Sequence, residues 1–282
     1  MRKADLPSTL EEFCALPDEA MDVALGAAFI ARDVYGGLDV RALVDRLDDL
    51  ARPLEARGLA GEGPRVQAAA LADHVYETLG FRGNEEDYYD PRNSLLSDVL
   101  DRRLGIPITL GIVYAELARR VGVRTRGIAF PGHFLVRIEH APPTEEAALV
   151  IDPFFGGRVL GHDAIERLLR RALGPKQALL PEHLAAASPR AILVRVLTNL
   201  KAIYLTRGDH ARAHLALDRI VSLMPDATGA LRERGLLAAR LGAVEAARAD
   251  LARVLELEPN ASDAQALSSR LAELSSSRRA PN

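Results

Sequence analysis

Apolar residues recur at helical spacing through the first part of the chain. The clearest set consists of leucines three or four residues apart, Leu43, Leu47, Leu50 and Leu54. This spacing is typical of one face of an amphipathic helix. The sequence from Leu10 to Leu79 therefore predicts an all-helical opening, which Gly80 ends and which glycines and a proline interrupt between residues 58 and 64.

A strongly apolar run lies in the middle of the chain. Residues from Ile108 to Val121 are apolar on most faces, which is typical of a buried helix. Gly105-Ile106-Pro107 stops a preceding helix, expected from Leu95 to Leu104, and starts the new one, because proline is tolerated in a first turn. Gly122 is expected to end the buried helix.

Two strand-type segments follow the buried helix. The first begins at Ile128 and the second at Ala147, with a polar, proline-containing segment between them. Folding the chain symmetrically in that segment pairs Ile138 with Ala147 and puts His133 directly opposite Asp152. The sequence thus predicts a hairpin with a histidine–aspartate pair, which a one-residue slip in register would destroy.

The last third of the chain contains an internal repeat. Four pairs of identical residues are separated by 34 positions: Gly208 and Gly242, Ala213 and Ala247, Leu217 and Leu251, Pro225 and Pro259. This pattern, with Tyr204 and Gly235, resembles two tetratricopeptide units, which are helical hairpins. Because two units are fewer than the usual three, we expect the array to pack on the first domain or to extend with a capping helix over residues 261–274.

Composition and charge narrow the classes of function. Apolar residues make up 48% and charged residues 27% of the 282 residues, the usual mix for a water-soluble globular protein. The formal charge is -3 with both signs interspersed, so no basic stripe for nucleic acid is present. No apolar run reaches the roughly 18 residues of a membrane span and no secretion signal is apparent, so we expect a cytoplasmic protein without a membrane partner.

Four motifs carry a family resemblance. They are Tyr89-Asp90-Pro91-Arg92-Asn93-Ser94, Gly105-Ile106-Pro107-Ile108-Thr109-Leu110, Pro131-Gly132-His133-Phe134-Leu135-Val136-Arg137 and Ile151-Asp152-Pro153-Phe154. With the repeats, they closely resemble the bacterial SirB-type family of transglutaminase-like proteins, whose core also appears in a eukaryotic F-box protein. The resemblance implies an α+β fold: a helical N-terminal part, a papain/transglutaminase-like core with a small antiparallel sheet, and an all-α tetratricopeptide-type helical array.

Length, repeats and resemblance together predict three segments. Residues 1–187 are expected to form the transglutaminase-like domain with its helical N-terminal extension, and residues 188–276 the helical repeats. Residues 277–282 are expected to form a flexible tail. Since such repeats bind rather than catalyse, we expect a protein or peptide partner there.

The resemblance also implies roles for residues of the predicted sheet. In transglutaminase-like enzymes a cysteine at a helix N-terminus attacks an acyl group, a histidine deprotonates it, and an aspartate orients the imidazole. His133 and Asp152 match the last two roles. Aligning Gly105 and Gly122 with the family's glycines places its cysteine at Pro107, which has no nucleophilic atom.

Two other residues are candidates for the missing nucleophile. Thr109 carries the nearest hydroxyl, but two helical residues correspond to a rotation of about 200°, so its side chain is expected to point away from the face of Pro107. The alternative role for Thr109 is to bond a backbone carbonyl or to cap the first turn. Cys14 is the only cysteine, and its acidic neighbours in the sequence disfavour a reactive thiolate.

A polar cluster before the buried helix is a candidate ligand site. The resemblance places Asn84, Tyr89, Asp90 and Asn93 beside the cleft, although turn formation and capping explain such residues about as well. We expect no cofactor. We also expect no metal site, because few further ligands lie near His133 in the sequence.

Three functions are consistent with these features. The missing cysteine favours a catalytically inactive, non-classical transglutaminase-like protein whose cleft and repeats act as a binding or regulatory module. The alternative is an active hydrolase or amidotransferase in which His133 and Asp152 activate water or Thr109. In a third interpretation, the same pair is a buried hydrogen bond between two strands, and the first domain only supports the repeats.

Overall fold

A computed structural model describes residues 7–139 and 148–276 of the chain. Contacts divide it into two units, Met1–Val196 and Leu197–Asn282. The division falls within one helix, Pro189–Thr206, and the boundary expected from the sequence lies just before that helix. The expected tail, residues 277–282, lies outside the described residues.

The first unit opens with helices. Before the large sheet these are α1 (Leu10–Cys14), α2 (Val23–Tyr35), α3 (Val40–Glu55), α4 (Pro64–Ala72), α5 (Leu96–Arg102) and α6 (Pro107–Arg120). Aspartates cap two of them: the side chain of Asp22 accepts a hydrogen bond from the backbone N–H of Leu25, and that of Asp39 accepts two in the first turn of α3. Helix α4 continues as a π-helix over Asp73–Thr78, so the predicted all-helical opening is correct with one irregular turn.

The strands form two sheets. A two-residue parallel pair consists of β1 (Arg82–Gly83) and β2 (Leu104–Gly105), and the larger sheet consists of β3 (Thr125–Ile128), β4 (Leu135–Ile138), β5 (Leu149–Asp152) and β6 (Arg158–Leu160). The larger sheet is antiparallel with the strand order β3-β4-β5-β6. Helix α7 (His162–Leu173) follows it, and α8 (Pro189–Thr206) leads out of the unit.

The strand-type sequence that begins at Ile128 is divided by a turn. The backbone N–H of His133 donates to the carbonyl of Phe130 over 3.0 Å, and Gly132 has φ +65°. Because a residue without a Cβ accepts positive φ at little cost, Gly132 allows the chain to reverse here. The segment therefore supplies the end of β3 and all of β4 rather than one continuous strand.

The register of the hairpin differs from the predicted one by two residues. Ile138 lies opposite Leu149, whereas symmetric folding paired Ile138 with Ala147, which lies outside the described residues. The prediction that His133 is directly opposite Asp152 is therefore wrong by two positions. Side chains alternate along a strand with a period of two, so this shift leaves both side chains on the same face of the sheet.

Helices cover the large sheet on both faces. A Cβ added to Gly111 of α6 would lie 2.6 Å from the ring of Phe134, so this helix packs very closely on one face. Helix α7 packs on the opposite face, where Leu135 of β4 shares a buried cluster with Leu169. The predicted burial of α6 matches the structure, because most of its residues are buried.

The second unit is a set of helical hairpins, and the predicted repeats are confirmed. Its helices are the last part of α8, α9 (His210–Leu223), α10 (Thr228–Arg240), α11 (Val244–Leu257) and α12 (Ala264–Ser276). Gly208 and Gly242 have φ +72° and +80° in the turns after α8 and α10. Helix α12 continues the array where a capping helix was expected, and its Leu267 joins the core of α10 and α11.

A small residue and an ion-pair network hold α10 against its neighbours. A Cβ on Gly235 would lie 3.0 Å from the Cβ of Asp250, so only a small residue lets α10 and α11 approach this closely. The guanidinium of Arg234 donates to both carboxylate oxygens of Asp250 at 2.8 and 2.7 Å, and to Asp218 at 2.8 Å.

Among the described residues, no helix has both the length and the apolar character needed to cross a membrane.

Candidate functional site

A histidine and an aspartate meet where strands β4 and β5 lie side by side. His133 comes two residues before β4 and Asp152 is the last residue of β5. The Nε2 atom of His133 lies 2.9 Å from Oδ1 of Asp152. The Asp152 side chain is fully buried and that of His133 is 10% exposed. The predicted pair therefore forms in spite of the changed register.

Asp152 accepts hydrogen bonds from four donors. Besides His133, the backbone N–H groups of Phe154 and Phe155 donate to Oδ1 at 3.1 and 3.4 Å, and Arg158 donates to Oδ2 at 3.0 Å. Gly156 and Gly157 both have positive φ, which turns the chain so that Arg158 comes back to the carboxylate. The aspartate thus fixes both the histidine and the turn that follows β5.

The charge on Asp152 fixes the tautomer of His133. Burial by itself raises the pKa of Asp152, but hydrogen bonds from His133 and Arg158 and the positive charge of Arg158 outweigh it, so the pKa is lowered. An ionised carboxylate can only accept, so Nε2 of His133 carries the proton that it donates. The other ring nitrogen, Nδ1, has no hydrogen-bond partner among the described residues. Nδ1 is therefore the atom that can meet a ligand or a water molecule.

A tyrosine from the π-helix packs against the turn that follows Asp152. The hydroxyl of Tyr76 donates to the carbonyl of Pro153 at 2.8 Å, and burial raises the pKa of Tyr76 well above its usual range. A Cβ on Gly157 would lie 2.5 Å from the Tyr76 ring. The tyrosine therefore packs directly under the Asp152 turn.

Aromatic rings lie close to the histidine. We call Tyr88, Tyr89, Phe154 and Phe155 the aromatic cluster. The rings of Phe154 and Phe155 each lie 6.4 Å from that of His133, and Tyr88 lies 5.9 Å from Phe154. Tyr89 is 72% exposed, and Tyr88 and Phe155 are each 38% exposed. The cluster joins the histidine to an apolar surface patch.

One arginine lies against this cluster, and a second bonds to the backbone at Phe130. The guanidinium of Arg158 sits 4.6 Å above the Phe155 ring. Arg195, from α8, donates to the carbonyl of Phe130 at 2.9 Å. Burial and the neighbouring Tyr89 raise the pKa of Tyr88, and the positive charge of Arg195 partly offsets this effect.

The residues of the predicted polar ligand site are mostly turned inward. Asn84, Asp90 and Asn93 are buried, whereas Tyr89 is exposed. The amide of Asn84 donates to Oδ1 of Asn93 at 3.0 Å, and Asn93 donates to the carbonyl of Asp87 at 2.7 Å. These bonds close the loop that presents the two tyrosines of the aromatic cluster.

Asp90 is held by its own arginines. Its carboxylate pairs with Arg92 at 2.7 Å and with Arg102 at 3.3 Å. Although burial works against it, these hydrogen bonds and charges lower the pKa of Asp90. The carboxylate is ionised and occupied, which is the arrangement expected of a residue that fixes a loop.

The start of α6 contains no free nucleophile. Pro107 is the first residue of the helix. The hydroxyl of Thr109 donates to the carbonyl of Asn93 at 2.7 Å and accepts from the backbone N–H of Ile106 at 3.1 Å, and Thr109 is 1% exposed. The Thr109 side chain therefore faces the polar loop. Gly111 is four residues after Pro107, on the same side of the helix as the proline, and it faces Phe134 of the sheet. Thr109 thus points away from the face of Pro107, as expected.

The single cysteine of the sequence lies in the first helix. Cys14 is at the end of α1 and forms no disulfide, and its backbone carbonyl accepts a hydrogen bond from Arg190 at 2.9 Å. Among residues 7–139 and 148–276, no group of three or more histidine, cysteine or acidic side chains is placed to hold a metal ion.

The structure adds four residues that sequence reasoning did not assign to the site: Tyr88, Phe155, Arg158 and Arg195. The run Phe154-Phe155-Gly156-Gly157-Arg158 after the aspartate held the only sequence signal for two of them, since paired glycines predict a reversal that brings an arginine back to an acid. Arg195 is distant in sequence, so no local pattern indicates its bond to the carbonyl of Phe130.

The fold and the histidine–aspartate pair define a transglutaminase-like domain followed by helical repeats, and comparison with known proteins agrees. Residues 41–198 match the family model for the transglutaminase-like superfamily, and residues 200–272 match a tetratricopeptide repeat model. A UPF0162 protein of Xylella fastidiosa is 38% identical over 93% of this chain and 92% of its own length. A UPF0162 protein of Pseudomonas aeruginosa is 34% identical over 81% of this chain and 82% of its own length. The chain therefore belongs to the UPF0162 family of transglutaminase-like proteins, which confirms the SirB-type resemblance.

A more distant relative is eukaryotic. The human protein named F-box only protein 21 is 28% identical over 86% of this chain, which corresponds to 41% of that protein. No solved structure gave a significant match to the chain.

Proposed function

We propose that the chain is a protein-interaction module without acyl-transfer chemistry, in which His133 and the aromatic cluster form a binding surface and the helical repeats hold a partner. The proposal depends on which residues stand at the start of α6. The family resemblance assigns the superfamily's nucleophile to the position of Pro107, which is the first residue of this helix. The hydroxyl of Thr109, two residues later, is buried, donates one hydrogen bond and accepts another. A nucleophile must reach its base and its substrate, and neither residue meets that need.

The retained pair supports a binding role. Asp152 holds the His133 ring so that Nδ1, an acceptor in this tautomer, is left for a ligand donor. Exposed aromatic rings beside a fixed polar atom are common at protein interfaces, because tyrosine and phenylalanine bury large areas at small entropic cost. Among the predicted ligand residues, Tyr89 belongs to this surface, and Asn84, Asp90 and Asn93 position the loop that carries it.

Photo-crosslinking tests the binding surface. Replacement of Tyr89 by p-benzoylphenylalanine in the full chain is expected to give specific crosslinks to a partner protein in cells. The same replacement at Tyr35, which is 46% exposed outside the aromatic cluster, serves as the control. Crosslinks from position 89 should weaken when His133→Gln is added; identical products from positions 35 and 89 would argue against a binding surface.

A second function, hydrolysis by an activated water molecule, is favoured by one observation. The Nδ1 atom of His133 is unpartnered among the described residues and could remove a proton from water. The purified chain should be assayed with fluorogenic amide, ester and thioester substrates and with a glutamine-containing acyl donor. The binding proposal predicts no turnover above that of His133→Ala. Turnover that disappears in His133→Ala and survives in Thr109→Val would instead establish a water-activating hydrolase.

A further inference from the structure

A groove lined by arginines lies beside the aromatic cluster. Its volume is about 480 Å³, and it runs between strand β6 and helix α7. Three arginines line it, Arg158 from the strand and Arg167 and Arg171 from the helix. We call it the arginine groove. Its volume falls in the range of sites that hold several side chains or a small ligand.

Two of these arginines carry uncompensated charge. Arg167 and Arg171 are exposed, and neither has an ion-pair or hydrogen-bond partner among the described residues. They lie four residues apart on α7, so their side chains emerge from the same side of the helix, about 6 Å apart at Cβ. Arg170 on the same helix differs, because it pairs with Glu166 at 3.0 Å. The groove therefore concentrates positive charge in a chain whose net charge is -3.

The floor of the groove is apolar. It includes Phe155, Val159 and Leu168. Val159 is 46% exposed and Phe155 is 38% exposed, which is unusual for large apolar side chains at adjacent positions of one surface. Covering these side chains would remove apolar surface from water, which favours association.

We propose that the arginine groove binds an acidic, partly apolar peptide segment of a partner protein. Carboxylates of the segment pair with Arg167 and Arg171, and an apolar side chain between them covers Val159. Guanidinium groups suit this role because they bind carboxylates in a planar, two-point geometry. The apolar floor distinguishes such a peptide from nucleic acid, whose phosphates would use the arginines and leave Val159 exposed.

The walls of the groove do not include the histidine. The groove shares Phe155 and Arg158 with the site already described, but peptide binding there makes no use of Nδ1 of His133. A variant that removes the imidazole is therefore expected to keep the groove's affinity. This difference separates the test of the groove from the test of the proposed function.

Fluorescence anisotropy with the full chain tests the proposal. The probe is a fluorescein-labelled, eight-residue peptide of alternating glutamate and leucine. Arg167→Glu and Arg171→Glu should each weaken binding about tenfold, since each replaces an attraction with a repulsion. Arg170→Glu makes the same charge change on the same helix outside the groove and should change affinity less than about twofold. His133→Gln should bind like the parent chain.

Probes of different chemistry distinguish between the possible ligands of the groove. A peptide of alternating glutamate and serine should bind several-fold more weakly than the glutamate–leucine peptide. The glutamate–leucine peptide should in turn bind several-fold more weakly to the Val159→Ser chain than to the parent chain. If Arg167→Glu and Arg171→Glu bind like the parent chain, the groove is not the site. The proposal is also overturned if single-stranded DNA or phosphatidylglycerol vesicles bind with the same arginine dependence while the peptide does not.

Discussion

Asp152 controls its surroundings because it is buried, charged and fully hydrogen-bonded. A buried carboxylate is costly unless every oxygen has donors, and here His133, Arg158 and two backbone N–H groups supply them. A single residue therefore sets the tautomer of the histidine and the path of the chain after β5. Its loss should affect folding as well as any ligand contact.

Asp152→Asn is expected to lower the free energy of unfolding by about 2–4 kcal/mol at pH 7, because the amide removes the buried negative charge and replaces one of the two acceptor oxygens with a donor. The folded-state pKa of Asp152 is lowered, so its contribution is present above the unfolded pKa of about 4 and is lost as the pH falls through the folded value. Urea titrations from pH 7 down to pH 3 should show the difference between the two chains shrinking with acid.

The control for this measurement is Asp49→Asn, which breaks an ion pair with Arg52 whose side chains are 65% and 70% exposed. Exposed pairs contribute about 0–1 kcal/mol. If Asp152→Asn were no more destabilising than Asp49→Asn at pH 7, the carboxylate would not hold the site together.

Thr109→Val tests whether the hydroxyl at the start of α6 is structural. The change leaves the carbonyl of Asn93 and the N–H of Ile106 without their partner, so we expect a loss of about 1–3 kcal/mol of stability. Thr109→Ser keeps the hydroxyl and should retain most of that stability. Equal stability of the valine, serine and parent chains in thermal unfolding would contradict the structural role.

At the scale of elements, close helix–sheet packing positions the site. The absence of a side chain at Gly111 lets α6 approach Phe134, the residue that follows His133. Gly111→Ala would gain up to about 1 kcal/mol of helix propensity but would force a methyl group to within 2.6 Å of the buried ring. Overpacking of this kind typically costs about 1–3 kcal/mol.

We therefore expect Gly111→Ala to lower the melting temperature of the first unit. Gly61→Ala is its matched control, since a Cβ at that position meets nothing within 4 Å and needs no positive φ. Differential scanning calorimetry should separate the two variants. A Gly111→Ala chain that is as stable as Gly61→Ala would mean that the helix can shift away from the sheet freely.

The same elements show how far sequence reasoning reaches. Glycine and proline positions predicted the ends of α6 and of the repeat helices, because these residues act locally. The histidine–aspartate pair was also predicted. The prediction held in spite of a register error of two residues, because side chains two positions apart on a strand lie on the same face of the sheet. The start of α6 was predicted by the run Gly105-Ile106-Pro107, because proline is tolerated in the first turn of a helix.

What the sequence did not predict depends on tertiary contacts. The two-residue pair of β1 and β2 is too short to leave a periodic signal. The π-helix carries Tyr76, whose hydroxyl bonds to the carbonyl of Pro153, and these two residues are far apart in the chain. The inward orientation of Asn93 follows from its bonds to Asn84 and Asp87, which a list of polar residues does not reveal.

At the scale of the whole molecule, aromatic residues are divided very unequally between the two units. All seven phenylalanines and five of the six tyrosines lie before residue 197, and the chain has no tryptophan. Near-ultraviolet circular dichroism therefore reports almost entirely on the first unit. Far-ultraviolet circular dichroism reports on the helices of both units.

Gly235→Leu should exploit this division. The new side chain cannot fit between α10 and α11, where even a Cβ would lie 3.0 Å from Asp250. We expect the second unit to unfold at a lower temperature in the far-ultraviolet signal, while the near-ultraviolet transition stays close to that of the parent chain. Gly229→Leu, at a position with nothing within 4 Å, is the control; equal shifts in both signals would mean that the units unfold together.

The π-helix of residues 73–78 makes the length of this segment as important as its composition. A π-helix accommodates one residue more than an α-helix of the same span. Deleting a single residue here would restore a regular α-helix, but it would change the angular position of Tyr76 within the segment, because an α-helix has fewer residues per turn than a π-helix. Tyr76 would then swing away from the carbonyl of Pro153, and the space kept clear by Gly157 would be left empty. Homologues that differ in length at this point would therefore need a different support for the turn after Asp152.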